Sequence, residues 1–199
     1  MSYKHIKTIK PILAWIAGNF LGIAVPSSLV FFIPNLETID SIAGIVGIFL
    51  IIFIPIGLAQ WLVLRRFTPL SPLWMLTIPV GFVLSFFILA FIPNSMWQNI
   101  DDEAPTVLTI LFTACGAVFG LAQWVLLRRL FAKSSFWILS SALGLGLGFG
   151  LVLATDMIDH SGFISGIIVI LLYSIATGST LSWLLNYHNR SHTPSAGNT

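Results

Sequence analysis

Three side-chain amides stand out in a chain whose long apolar stretches otherwise contain little polar chemistry. Gln60 and Gln123 hold the same place in two copies of one motif, and Asn19 is the one amide of the first apolar stretch. An amide donates and accepts hydrogen bonds, so in hydrocarbon it can join neighbouring helices or hold a ligand. We expect Gln60 and Gln123 to cap a neighbouring helix or bond across a helix bundle, and Asn19 to make a packing contact. All three remain candidates for cofactor binding.

Catalytic and metal-binding chemistry has little support in the sequence. Asp156, Asp159 and His160 share one short loop, a set that could hold a divalent cation but is more typical of a solvated turn. The apolar stretches contain no acid and no histidine, which removes the groups of an intramembrane hydrolase. Cys115 is the single cysteine, so intrachain disulfides and cysteine-cluster sites are excluded. We expect no enzyme, catalytic residue, metal site or cofactor.

The composition requires elements that lie in a membrane. Of the 199 residues, 57% are hydrophobic and only 8% are charged, whereas an ordinary soluble domain has roughly 25% charged residues. So few charges cannot cover a water-facing surface, which excludes a soluble monomer. Nine basic against seven acidic residues leave a net charge of +2, too small for a nucleic-acid-binding face. The expected partners are the lipid bilayer and other membrane protein subunits.

Six segments are long enough to cross a hydrocarbon core, which needs about 20 apolar residues in a helix. None contains Asp, Glu, Lys, Arg or His, each of which is costly at a helix centre. The sequence therefore predicts an all-α integral membrane protein with six transmembrane helices: Ile12 to Ile33, Ile42 to Leu64, Leu73 to Ile92, Thr106 to Leu127, Phe136 to Thr155 and Phe163 to Leu185.

The charges predict the orientation. All nine basic residues flank one side of these spans: Lys4, Lys7, Lys10, Arg65, Arg66, Arg128, Arg129, Lys133 and Arg190. All seven acids flank the other: Glu37, Asp40, Asp101, Asp102, Glu103, Asp156 and Asp159. Because basic loops stay in the cytoplasm, we expect both termini there, in an inner membrane of plasma or thylakoid type. The first apolar run is too long for a cleavable signal peptide.

A repeat of about 60 residues organises the chain. The segments 57–66 and 120–129 read Gly-Leu-Ala-Gln-Trp-x-x-Leu-Arg-Arg, and 179–188 is a diverged third copy. The motif positions expected to pack are Gly57, Gln60, Trp61, Gly120, Gln123, Trp124 and Trp183. Trp15, Trp74 and Trp137 each open a span and are each followed seven residues later by glycine. We expect these six tryptophans to form an interfacial belt.

The repeat predicts one transmembrane bundle over residues 1–190, made of hairpins 11–66, 71–129 and 134–188, with a polar disordered tail at 191–199. Since each hairpin contains two spans, its copies share one orientation, which predicts approximate threefold pseudo-symmetry about the membrane normal. Pro26, Pro55 and Pro79 are expected to kink their spans. The Gly-x-x-x-Gly pairs at 116–120 and within 144–150 predict close helix contacts, closest in the fifth span.

These paired motifs resemble those of a group of uncharacterised multi-pass bacterial membrane proteins, associated with photosynthetic bacteria. The resemblance covers most of the chain and implies membrane-embedded hairpins, but no activity. Three tandem two-helix units also resemble the layout of mitochondrial carriers. The carrier signature Pro-x-Asp/Glu-x-x-Lys/Arg is absent, so that similarity concerns architecture alone and implies no site residues.

Three classes of function fit this sequence. We expect a structural or accessory component, such as a partner subunit, an assembly factor or a membrane organiser. The alternative is a small cation or solute transporter or channel, with the acidic loops attracting cations and Gln60, Gln123 and Ser182 lining the path. The third is a binder of a lipophilic cofactor such as a pigment. Transport sites usually show an ionisable residue or a broken helix at mid-membrane, which this sequence lacks.

Overall fold

The computed structural model describes residues 3–30, 42–90, 104–155 and 162–191, and this part of the chain is all-helical. A 3-10 helix, Pro72–Leu76, leads directly into the third α-helix. The α-helices are α1 Tyr3–Val30, α2 Ile42–Leu64, α3 Thr77–Ala90, α4 Ala104–Leu127, α5 Phe136–Ala154 and α6 Gly162–Ser191. The predicted helical class is confirmed. The terminal tail and the three acidic connections lie outside the described residues.

Three of these helices are long and apolar enough to cross a membrane by length and composition. They correspond to Pro105–Leu127 in α4, Phe136–Ala154 in α5 and Ile164–His188 in α6. Shorter apolar helical stretches occur at Ile9–Ala24, Phe53–Leu64 and Pro72–Ser85. By this criterion of length and apolar composition, the protein is embedded in a membrane.

The distribution of side chains is inverted relative to a soluble domain. Large apolar side chains face outward on the helices, with Leu21, Ile110 and Leu147 each more than 60% exposed. Polar side chains are buried instead, among them Asn19 and Gln123, which are at most 2% exposed. An exposed apolar surface of this extent is stable only where it is covered by lipid or by another apolar surface.

The helices pack in chain order, and the last one returns to the first. Each of α1 to α5 packs against the helix that follows it, and α6 packs against α1. The apolar core lies at the end where the arginine-bearing loops connect α2 to α3 and α4 to α5, which we call the basic end. Three indoles and three leucines form its centre, and all six are fully buried: Trp15, Trp74, Trp137, Leu64, Leu127 and Leu181.

Glycines on α5 allow it to approach both of its neighbours. A Cβ added at Gly144 or Gly148 would lie within about 3 Å of the α6 backbone, at 2.9 Å from Cα of Tyr173 and 3.0 Å from Cα of Val169. Gly146 and Gly150 instead face threonine side chains of α4. The overlapping Gly-x-x-x-Gly pairs therefore serve contacts within the chain, as the close packing predicted for the fifth span requires.

Pro79 does not kink the middle of a span, as the sequence analysis expected. It lies in the first turn of α3, directly after the 3-10 helix, where a missing N–H costs little. Without that N–H, the carbonyl of Met75 has no i+4 donor. Gly57 of α2 lies against this carbonyl so closely that a Cβ at position 57 would overlap its oxygen. Pro55, by contrast, lies inside α2 as predicted.

Candidate functional site

Three tryptophans meet at the centre of the basic end and form what we call the indole triad. The rings of Trp15, Trp74 and Trp137 lie edge to face, with centroids 5.5 to 6.5 Å apart and interplanar angles of 73 to 78°. Such T-shaped pairs are favoured by the ring quadrupole and contribute about 0.5–1.5 kcal/mol each beyond the area they bury. All three side chains are fully buried. The prediction that these tryptophans form an interfacial belt is therefore wrong.

Each indole N–H of the triad donates to a buried polar side chain on an even-numbered helix. Trp74 donates to Oε1 of Gln60 at 3.2 Å, and Trp137 donates to Oε1 of Gln123 at 2.6 Å. Both pairs are 14 residues apart in sequence. Trp15 completes the set by donating to Oγ1 of Thr177 at 2.8 Å. Burial of an indole is stabilising only when its N–H finds such an acceptor.

The predicted candidate amides lie in one network, the amide network, which consists of Asn19, Gln60 and Gln123. Gln123 donates to Oε1 of Gln60 at 3.2 Å, and Gln60 donates to Oδ1 of Asn19 at 2.8 Å. Asn19 in turn donates to the carbonyl of Trp15 at 3.0 Å. The prediction that Gln60 and Gln123 bond across the bundle is confirmed.

Thr177 was missed because the third copy of the motif is shifted in register. When the repeats are aligned on Trp183, Ser182 corresponds to Gln60 and Gln123. In the structure, however, Thr177 accepts the hydrogen bond from the indole of Trp15. Thr177 and Leu181 each follow their structural counterparts in α4 by 54 residues, not 59. At this register the indole of Trp15 packs closely on α6, where a Cβ at Gly178 would lie 3.1 Å from its Cδ1.

The other motif tryptophans lie toward the outside of the basic end. Arg65 lies over the ring of Trp61 at 4.8 Å, and Arg128 lies over the ring of Trp124 at 5.2 Å, so both pairs form the cation–π contacts that their spacing predicts. Trp183 is 42% exposed and stacks with Tyr187 at 5.8 Å. Unlike the triad, these rings lie where amphipathic indoles contact an interface.

A cavity of about 380 Å³ lies beside the amide network, and side chains from all six helices line it. We call it the central cavity. Its walls are mainly aromatic and aliphatic, and they include two ring pairs that join neighbouring helices. Phe53 and Phe82 have centroids 4.3 Å apart, while Phe112 and Phe149 are stacked at 3.5 Å. Asn19 and Gln60 provide polar atoms at its edge.

The hydrogen-bonding capacity of these two amides is only partly used. The nitrogen of Asn19 makes one hydrogen bond within the described part of the chain, as does the nitrogen of Gln60. Each amide nitrogen carries two hydrogens, so one donor on each remains. Tyr173 also lines the cavity, close to Gln123 and Ser141. The cavity thus has an almost entirely apolar wall, with the buried amides of Asn19 and Gln60 at its edge.

Of the other positions considered in the sequence, only Cys115 lies at this site within the described residues. Within the described ranges, no three His, Cys, Asp or Glu side chains lie together. Asp156, Asp159 and His160 fall outside those ranges, as do the other acids. Cys115 is buried and lines the central cavity. Ser141 and Ser174 have buried hydroxyl oxygens with no hydrogen-bond partner in the described structure.

The spacing of the motifs in the sequence contains a signal for the indole–amide pairs. Gln60 precedes Trp74 by the same interval as Gln123 precedes Trp137, across two loops of similar composition. A constant interval between a donor and an acceptor on adjacent helices indicates a shared contact. The central cavity has no such signal, because its lining residues come from six separate helices.

Comparison of the chain with protein-family models, curated proteins and solved structures gave no match. The site must therefore be interpreted from its own geometry.

Proposed function

We propose that the chain is a non-enzymatic membrane protein that binds a lipophilic molecule in its central cavity. The observation that carries the proposal is the cavity itself: about 380 Å³ of space between six helices, with almost entirely apolar walls rich in phenylalanine. Small-molecule sites are typically apolar clefts of this kind with a few polar groups that orient the ligand. A purely structural bundle would gain stability by filling such a space.

The proposed architecture is a six-span bundle with approximate threefold pseudo-symmetry about the membrane normal. Three indole N–H groups that each donate to an even-numbered helix, together with the return of α6 to α1, support it. In this proposal the basic end and both termini face the cytoplasm of an inner membrane, because basic residues are retained there. The resemblance to the repeat-bearing bacterial membrane proteins fits the same arrangement.

The lining predicts the chemistry of the ligand. An uncharged, mainly hydrocarbon or aromatic body suits the phenylalanine walls, because the described lining contains no ionisable acid or base to neutralise a charge apart from a thiol and a phenol. The spare amide hydrogens of Asn19 and Gln60 favour an acceptor, such as a carbonyl oxygen, at one end of the molecule. A lipophilic ketone or quinone has both features.

This proposal is compatible with an accessory role, since a subunit that holds a lipophilic molecule needs no chemistry of its own. The structure of the basic end favours ligand binding over transport. Any path along the bundle axis would meet the indole triad and the three buried leucines Leu64, Leu127 and Leu181. An ion has no polar route through that layer.

Extraction of the purified protein tests the proposal. The chain is isolated in lipid nanodiscs, extracted with organic solvent and analysed by mass spectrometry and absorbance. We expect one lipophilic compound, in about equimolar amount, that is enriched over the bulk lipids. Ser85→Leu replaces a hydroxyl by a branched apolar group with two more non-hydrogen atoms at a lining position that is 4% exposed, and we expect it to lower the recovered amount severalfold.

Val83→Leu is the matched control, because position 83 lies on the same helix and is 55% exposed. It should retain the ligand. Recovery of bulk lipid composition alone from the parent protein would contradict ligand binding and leave a structural role.

A further inference from the structure

A second cavity lies at the basic end, separate from the central cavity and on the other side of the indole triad. Its volume is about 520 Å³, and its lining comes from the start of α1, from both arginine-bearing loops and from the end of α6. We call it the basic-end pocket. Because all three predicted hairpins contribute, it lies between them and not on the outer surface of one helix.

Three nitrogen-bearing side chains from three separate segments line this pocket. Lys10 comes from α1, Arg129 from the loop after α4 and His188 from α6, and all three are exposed. Asn186 adds an amide, and Phe131 provides an apolar wall on which His188 packs edge to face at 5.7 Å. The described lining contains no acid.

The basic residues described at this end differ in their surroundings, and Arg66 lies apart from the others in a groove between α1 and α2. Arg65, Arg128 and Lys133 lie over the rings of Trp61, Trp124 and Tyr187, where cation–π contacts hold them. Lys10 and Arg129 instead share one concavity. Two like charges directed at one concave space repel each other, and an anion bound between them relieves that repulsion.

The residues that the structure describes include no Asp or Glu that could supply an anion to this pocket. All seven acids lie in the sequence between α1 and α2, α3 and α4, or α5 and α6, in connections outside the described residues. Those connections follow the far ends of α1, α3 and α5.

We propose that the basic-end pocket binds a phosphate group. A guanidinium, an ammonium and an imidazole that line one pocket from three separate segments suit a tetrahedral oxyanion with several acceptor oxygens, and arginine pairs with phosphate in a bidentate manner. The apolar wall formed by Phe131 and its neighbours accepts the organic part of a phosphate ester. The phosphate is either that of a phospholipid headgroup or that of a soluble compound. This inference does not depend on the ligand proposed for the central cavity.

Adjacent arginines give a matched pair of variants for the test. Arg129→Gln removes a charge that lines the pocket, whereas Arg128→Gln removes the neighbouring charge that lies over Trp124. Both changes alter the net charge equally. The protein is reconstituted in phosphatidylcholine nanodiscs, and its unfolding temperature is followed during titration with inorganic phosphate or, in a second series, after replacement of part of the lipid by phosphatidic acid.

We expect the parent and Arg128→Gln to be stabilised equally, and Arg129→Gln to need about tenfold more ligand for the same shift. Lys10→Gln should act in the same direction as Arg129→Gln. A response to inorganic phosphate identifies a soluble phosphate as the source, and a response to phosphatidic acid alone identifies a lipid headgroup.

Sodium chloride at matched ionic strength separates binding from screening. If chloride stabilises the protein as much as phosphate does, or if the two arginine variants respond alike in both series, the pocket does not bind phosphate and the proposal is overturned. Absence of any shift in the parent with either probe overturns it as well.

Discussion

Replacement of Gln60 by leucine should destabilise the bundle more than any other single change in the amide network. Gln60 is 1% exposed and makes three hydrogen bonds: it accepts from Trp74 and Gln123 and donates to Asn19. Side-chain hydrogen bonds inside membrane proteins are worth on average about 0.6 kcal/mol and at most about 1.7 kcal/mol, so three of them sum to about 2–5 kcal/mol. Gln60→Leu should lower the free energy of unfolding by that amount.

Gln123→Leu provides the internal comparison, because Gln123 makes two of these bonds instead of three. Its expected cost is about 1–3 kcal/mol on the same scale. Leu62→Ala, at a position 39% exposed on α2, should cost about 0.5 kcal/mol. The free energies are measured by titration of mixed micelles with sodium dodecyl sulfate, followed by circular dichroism. The reasoning fails if Gln60→Leu costs no more than Leu62→Ala, or less than Gln123→Leu.

Three further predictions concern the packing of the helices and the topology of the chain. Gly57→Ala, which would overlap the carbonyl of Met75, should cost about 1–3 kcal/mol, whereas Gly166→Ala, which meets open space, should be nearly neutral in the same unfolding assay. Trp74→Phe should remove much of the near-ultraviolet circular dichroism, since it breaks two of three coupled indole pairs, and Trp183→Phe should change it little; equal effects would argue against the triad. Reporter fusions in the loop after α2, in the connection after α3 and at the carboxyl terminus should read inside, outside and inside, and an outside terminus would contradict six spans.

The membrane-embedded helical class could be predicted because it depends on local composition. Long apolar stretches and the absence of charge within them require helices, whatever the tertiary contacts are. The boundaries of α4 and α5 agree with prediction to within about two residues, since arginines and polar residues end the apolar runs. The start of the third span differed, because Ser71 caps a 3-10 helix there before α3 begins.

The roles of individual side chains were harder to predict, since a residue type fits more than one environment. A tryptophan near a span end suits both an interface and a buried cluster, and only the packing of α1, α3 and α5 distinguishes Trp15 from Trp61. The role of Thr177 depends on the register of α6, and aligning the third motif copy on Trp183 gives the wrong register. Hydrogen bonds between helices could be predicted for the glutamines, although not their exact partners, because glutamine in hydrocarbon must find a polar partner.

The hydrogen bond from Trp15 to Thr177 has a consequence for synthesis of the protein. The two residues are 162 positions apart, the first near the beginning of the chain and the second near its end. At a translation rate of about 5–20 residues per second, roughly 8–32 s pass between the emergence of one and of the other. During that interval the indole of α1 lacks its native acceptor, so the seam between α1 and α6 is the last to form. A nascent chain that terminates before α6 would leave the face of α1 that packs against α6 uncovered in the bilayer. Quality-control proteases can recognise such an exposed face.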